Sequence, residues 1–140
     1  MWTARKLTVR PSTTLVEAAQ ALTTHRIGAL VVTDDAGRLS GIISERDLTK
    51  AIVKYLAGLI DRRVADVMTR TVVTCSPDDS VAEVLYLMNA NRIRHIPILD
   101  RDALVGIISI RDVTGNWLEL LERENQQLRG AVGAVVHGSA

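Results

Sequence analysis

Two serines each stand three residues ahead of an aspartate, in Ser44-Glu45-Arg46-Asp47 and Ser109-Ile110-Arg111-Asp112. Both follow Gly-Ile-Ile, so Gly41–Asp47 and Gly106–Asp112 differ only at Glu45 against Ile110. A serine closing an apolar run, with a carboxylate three residues on, makes a helix N-cap with its N3 partner, contributing about 1 kcal/mol. The same groups have a second use. A helix N-terminus offers unpaired N–H groups and positive potential, and a serine hydroxyl beside it can meet a phosphate. A carboxylate one turn along can accept hydrogen bonds from two vicinal hydroxyls, as on a ribose. The two uses are compatible at Ser44 and Ser109 and compete at Asp47 and Asp112. Arg46 and Arg111 lie between serine and aspartate in both copies. Each is either a solvated or ion-paired arginine at a helix start, or a phosphate contact through its planar guanidinium.

Little else in the chain suggests chemistry of its own. The sequence has no Ser-His-Asp order, P-loop, Gly-x-Gly-x-x-Gly or cluster of metal-ligating histidines, so an enzyme is not expected. His25, His95 and His137 are scattered, and the single cysteine, Cys75, excludes an intramolecular disulfide and a Cys-based zinc cluster. Cys75 ends a β-prone run and reads as a buried structural thiol. A net charge of +1 with 3% aromatic residues provides neither a basic field nor much stacking surface for nucleic acid. No apolar run approaches the ~20 residues of a bilayer span, so no membrane partner is expected. The stretch Met1–Lys6 leads into no apolar signal region, and a soluble cytoplasmic protein is expected.

Positioning two such motifs takes two copies of one unit. Pro11 and Pro77, Glu17 and Glu83, Arg26 and Arg92, and Asp34 and Asp100 are each 66 residues apart. After a one-residue deletion the offset becomes 65, which matches Ser44 to Ser109 and Asp47 to Asp112. The deletion falls between polar, turn-forming stretches at 34–38 and 100–103, where length changes are cheap. Each copy opens with a β-prone run, Lys6–Val9 or Val72–Cys75, before a proline. Thr14-x-x-Glu17 and Ser80-x-x-Glu83 then start apolar-periodic helices. Two apolar strands follow, at 29–33 and 39–44 or 95–99 and 104–109, and a second helix starts at each Ser-x-x-Asp. Between the copies, Arg62–Met68 predicts a short helix. Fewer than about seventy residues make a marginal core alone, so the copies must pack together. The fold class is therefore α/β (α+β), with two β-α-β-β-α repeats about a pseudo-two-fold axis.

Val64-Ala65-Asp66-Val67-Met68-Thr69 ahead of the second copy, Arg94-His95-Ile96-Pro97-Ile98 within it, and both Gly-Ile-Ile-Ser-x-x-Asp phrases complete a pattern. Over about residues 5 to 115 it resembles a tandem pair of cystathionine β-synthase (CBS) domains, a Bateman module. The first copy departs from that pattern in lacking an Asp-Val-Met-Thr-like lead-in. On this resemblance the chain divides into repeats at 5–58 and 72–116, a connecting short helix and linker at 59–71, a helical extension at 117–129 and a flexible tail at 130–140. The resemblance also implies an adenosine-containing ligand in the cleft between repeats, AMP first, then ATP or ADP, NAD or S-adenosylmethionine. It carries over Ser44, Asp47, Ser109 and Asp112 as candidate contacts, with Arg46 and Arg111 beside them. It adds Arg94 and His95, at the entry to the middle strand near the phosphate, with Ile96 and Pro97 of the same motif. A strand histidine packed beside Pro97 is the other reading of His95. The first copy has Gly28 and Ala29 at the positions of Arg94 and His95. Two unequal sites are expected, with the cleft of Ser109 and Asp112 binding more tightly unless the packing turns Arg94 toward the other one.

Past Asp112, Val113, Trp117, Leu120, Leu121 and Leu128 recur at helical spacing. Such a stripe needs a partner surface, found either by folding back on the module or by joining a second subunit. With Leu48, Ile52 and Val53 on the matching helix, it predicts a homodimer. A regulated protein partner, unnamed by the sequence, is also implied. The alternative is an interaction scaffold that binds no ligand, its two Ser-x-x-Asp motifs serving only as caps.

Overall fold

The computed structural model describes residues 7–127. The first helix of each repeat, α1 (Leu15–His25) or α4 (Val81–Asn91), is capped as the sequence predicts. The Thr14 and Ser80 hydroxyls accept from the N–H groups of Glu17 and Glu83, each at 3.1 Å. α1 and α4 end on arginines in the left-handed region, Arg26 at φ 52° and Arg92 at φ 53°. Glycine is the usual residue there, so each arginine carries a backbone cost of about 1–2 kcal/mol.

β1 (Thr8–Val9) runs parallel to β2 (Ala29–Thr33), which pairs antiparallel with β3 (Leu39–Ser44) and sets Ala29 opposite Ser44. The second repeat builds the same hairpin from β4 (His95–Asp100) and β5 (Ala103–Ser109), with His95 opposite Ser109. The deletion lies in the hairpin turn. In the first loop Asp34 Oδ1 accepts from the N–H groups of Ala36 and Arg38, and Gly37 takes φ 79°. The second uses two residues, Arg101 and Asp102, at φ 50° and 68°, the tight turn that matches strand twist.

Alternation along β2 joins the repeats. Leu30 and Val32 enter a core with Leu15, Leu22 and Ile43, while Ala29 and Val31 face the other way, onto Leu104 and Ile107 of the second repeat. All five β2 residues are buried. The second core gathers Val84, Met88, Ile96, Ile98, Ile108 and Val113 around Cys75. Burial, and then the nearby Asp79 charge, push the Cys75 thiol up to about 11, which makes it an inert packing group.

α2 (Glu45–Tyr55) leads through a 3-10 helix (Leu56–Asp61) to α3 (Val64–Val67), inside the predicted linker helix. α5 (Ile110–Gln127) continues well past Asp112, as the periodicity predicts, and leaves Leu118 and Leu121 exposed. Among the described residues no helix is long and apolar enough to cross a membrane. Met1–Lys6, the tail at 130–140 and His137 lie outside the described residues.

Two expectations need correction. Val72–Cys75 does not form a strand. Thr69 instead pairs with Ile42 of the first repeat, through bonds of 2.8 and 3.0 Å, and Cys75 alone bridges Ile98. The chain crosses from one sheet to the other between these two points, so it cannot follow β4 for longer. Val113 is also unavailable to a dimer face, because it is fully buried in the second core.

Candidate functional site

Both Ser-x-x-Asp motifs close as caps. At the start of α2, Ser44 Oγ accepts from Asp47 N–H at 3.3 Å, and Asp47 Oδ2 accepts from Ser44 N–H at 2.9 Å. Asp47 takes two further bonds, from the Ser44 hydroxyl to Oδ2 at 3.1 Å and from Thr69 Oγ1 to Oδ1 at 3.3 Å. At α5, Ser109 Oγ accepts from Asp112 N–H at 3.1 Å and Asp112 Oδ2 from Ser109 N–H at 3.2 Å. The shared Ser-x-x-Asp motif therefore ends in unlike surroundings: Asp47 is half-buried, whereas Asp112 is exposed.

Each motif opens into a cleft between the repeats. The Ser44–Asp47 cleft encloses about 510 Å³, with Thr69 and Thr71–Val73 on one side and Arg92–His95 on another. The Ser109–Asp112 cleft encloses about 780 Å³ and is bounded by Arg26–Ala29 and Arg111. Both carry backbone and hydroxyl groups, a carboxylate and cations around a partly apolar wall, a composition suited to a small polar ligand. Among the described residues no three His, Cys, Asp or Glu side chains gather to hold a metal ion.

Arg94 and His95 line both clefts, as do Gly28 and Glu45. The sequence leaves open which cleft they serve, and the packing sets them on the wall of both. A Cβ on Gly28 would lie 2.8 Å from His95 Cε1, 2.9 Å from Nε2 and 3.2 Å from Glu45 Oε1. Gly28 therefore gives the imidazole its room, and the two repeats touch where the clefts adjoin. Burial pushes His95 below its ordinary value of 6.5. Glu45 and Asp112 pull it up and Arg94 pushes it further down, with burial prevailing. His95 is accordingly neutral near pH 7. Ile96 and Pro97 are fully buried and belong to the second repeat's packing rather than to a cleft lining.

Arg46 reaches from α2 to donate to the Arg92 carbonyl at 3.4 Å, linking the two repeats across the Ser44–Asp47 cleft. Sequence reasoning did not single out Thr69, Lys50, Arg26 or Arg92 as cleft residues. The signals available were the matched pair Arg26 and Arg92, and Lys50 one helical turn beyond Arg46.

The CBS domain family model matches residues 3–54 and 64–119. The chain belongs to the CBS domain family. Its tandem repeats are 34% identical over 125 residues to a mitochondrial CBS domain-containing protein of Arabidopsis thaliana, CBSX3, covering 84% of this chain and 61% of that protein. The share falls to 21% and 24% in other, longer relatives, so the CBS pair here spans only part of their length. A CBS-domain containing protein from Agrobacterium tumefaciens has a crystal structure similar at TM-score 0.77 and 39% identity, over 81% of this chain and 90% of that one. The CBS domain pair of protein MJ0100, crystallised with 5′-methylthioadenosine and S-adenosyl-L-methionine, is similar at TM-score 0.75 and 28% identity, over 83% and 90% of the two chains.

Proposed function

We propose that this CBS pair is a non-catalytic regulatory module that binds an adenosine-containing ligand between its repeats and signals its occupancy to a protein partner. One observation carries the reading: each Ser-x-x-Asp motif stands in a cleft walled by both repeats, with a helix N-terminus, a carboxylate and cations around it. The ligands of the MJ0100 pair share an adenine-bearing ribose, and in this proposal Asp47 and Asp112 take its hydroxyls. Arg94, Arg46 and Arg111 supply positive charge for a phosphate and His95 a neutral ring N–H beside them, so AMP, ADP and ATP come before NAD and S-adenosylmethionine as candidates. A ligand held by both repeats regulates only if it binds two arrangements of them unequally.

The module is proposed to work as a homodimer in the cytoplasm. Ile52 and Val53 on α2, with Leu56 and Ile60 just beyond it, are exposed apolar side chains on consecutive turns that a second copy would cover. The lone buried Cys75 is compatible with a reducing compartment. No nucleic acid or membrane partner is invoked.

A second reading, an interaction scaffold without ligand, is favoured by one observation. Both serine–aspartate boxes are already closed within the chain, and Asp47 also holds Thr69. Thermal unfolding with AMP, ADP, ATP, NAD or S-adenosylmethionine, each at millimolar concentration, separates the two. Binding to the folded state alone raises the melting temperature. An increase with at least one of these ligands supports the regulatory reading, and none with any leaves the scaffold.

A further inference from the structure

Duplicated positions around the two clefts differ in charge. Around Ser44 and Asp47 stand Arg46 and Lys50 from α2, and Arg92 and Arg94 from the junction between α4 and β4. The matching residues of the other half are Arg111, Gly115, Arg26 and Gly28. Two of the four cationic positions are therefore glycine in one copy and basic in the other. Since Arg94 lines both clefts, the Ser109–Asp112 cleft has Arg26, Arg94 and Arg111, and Lys50 is the added charge of the Ser44–Asp47 cleft. Arg46 and Lys50 are four residues apart and share a helix face, and the Arg46 contact to the Arg92 carbonyl draws the two groups of cations together.

These charges have little internal compensation. The cleft sets Glu45 and Asp47 against them, and Asp47 is engaged by Ser44 and Thr69. Among the described residues, ion pairs form at Arg10–Asp35 and Arg38–Asp34, neither of which lines the cleft. Four like charges around one opening repel each other until an anion lies between them. A monophosphate engages one or two such groups; a chain of two or three phosphates can engage all of them.

We propose that the Ser44–Asp47 cleft selects for the polyphosphate chain. Building on the reading that it binds an adenosine nucleotide, Arg94 takes the first phosphate near the N-terminus of α2. Arg46, Lys50 and Arg92 take the phosphates beyond it. ADP and ATP are then the preferred ligands of this cleft, and AMP the weaker one.

Calorimetric titration of the full chain with AMP, ADP and ATP, at low salt and without divalent cations, tests this. ATP should bind at least about tenfold more tightly than AMP, since each charge-assisted contact is worth roughly that factor. The preference should shrink at about 0.5 M salt, because the cations stand at an exposed rim. Arg46→Gln/Lys50→Gln should lower the ATP-to-AMP ratio by at least about threefold while keeping the wild-type circular-dichroism spectrum. Equal affinity of the wild type for AMP and ATP overturns chain-length selection and leaves the nucleotide reading standing. An unchanged ratio in the double variant overturns the role of Arg46 and Lys50. Failure of all three nucleotides to bind overturns the polyphosphate proposal and leaves NAD and S-adenosylmethionine to decide the adenosine-ligand reading.

Discussion

Asp47 and Asp112 occupy the same place in seven-residue phrases that differ at one position, yet one is half-buried under three donor groups and the other is exposed with one. One extra donor is the Ser44 hydroxyl within the phrase, and the other comes from outside it. Thr69 lies against β3 and brings its hydroxyl to Asp47, and that bridge walls the Ser44–Asp47 cleft. Arg94 in one repeat answers Gly28 in the other, and Gly28 must stay small because the His95 ring occupies the space above it. A repeated motif thus preserves the helix cap, which is local. Its surroundings come from the other repeat and are free to diverge.

The largest effect should come from filling the contact that builds the smaller cleft. A Cβ on Gly41 would stand 2.7 Å from the Thr69 carbonyl oxygen, and backbone there cannot swing aside. Gly41→Ala is expected to cost about 2–3 kcal/mol in urea unfolding. An unchanged midpoint would show that the Ile42–Thr69 bridge does not hold the repeats together. Next in size is the pair of aspartates. Asp47→Ala loses the N3 half of the cap and the Thr69 tie and should cost about 1–2 kcal/mol, against about 0.5–1 for Asp112→Ala. Equal losses from the two would remove the structural asymmetry.

Much of this arrangement was legible in the sequence because it is local or periodic. The capping pairs at Thr14, Ser44, Ser80 and Ser109, the apolar stripes of α1 and α4, and the offset of the two copies each depend on neighbours within one element. The contacts that make the clefts unequal join residues far apart in the chain: Ile42 with Thr69, Arg46 with Arg92, Gly28 with His95. No spacing encodes them. Val72–Cys75 looked like a strand from its β-branched residues, but the crossing between sheets at that point prevailed over propensity. The apolar stripe of α5 did not reveal that Val113 faces inward, because periodicity shows that a face is buried and not which surface covers it.

Two smaller tests sharpen the comparison. A Cβ on Gly115, the counterpart of Lys50, meets nothing within 4 Å. Gly115→Lys should therefore be accommodated, and should raise ATP affinity at the Ser109–Asp112 cleft by about threefold to tenfold in a titration of the Asp47→Ala background. No gain would show that charge at this helix position does not reach the cleft. The smallest expected effect is on pH dependence. Burial holds His95 below 6.5, so the unfolded chain takes up a proton before the folded one as pH falls. Stability should decline as the pH falls through about 6.5, and less so with ATP bound, since an anion beside His95 favours its charged form. His95→Gln should flatten that slope. A slope unchanged by the substitution would assign the pH dependence to other groups.

The central claim, that the Ser-x-x-Asp carboxylates take ribose hydroxyls, is tested most directly by titrating the wild-type chain with ATP and with 2′,3′-dideoxy-ATP in the calorimeter. Adenine and phosphates are common to both ligands, so any difference belongs to the diol. The analogue should bind about tenfold to a hundredfold more weakly, as expected for losing hydrogen bonds to a charged acceptor. Equal affinities would contradict the claim and leave Asp47 and Asp112 as helix caps alone.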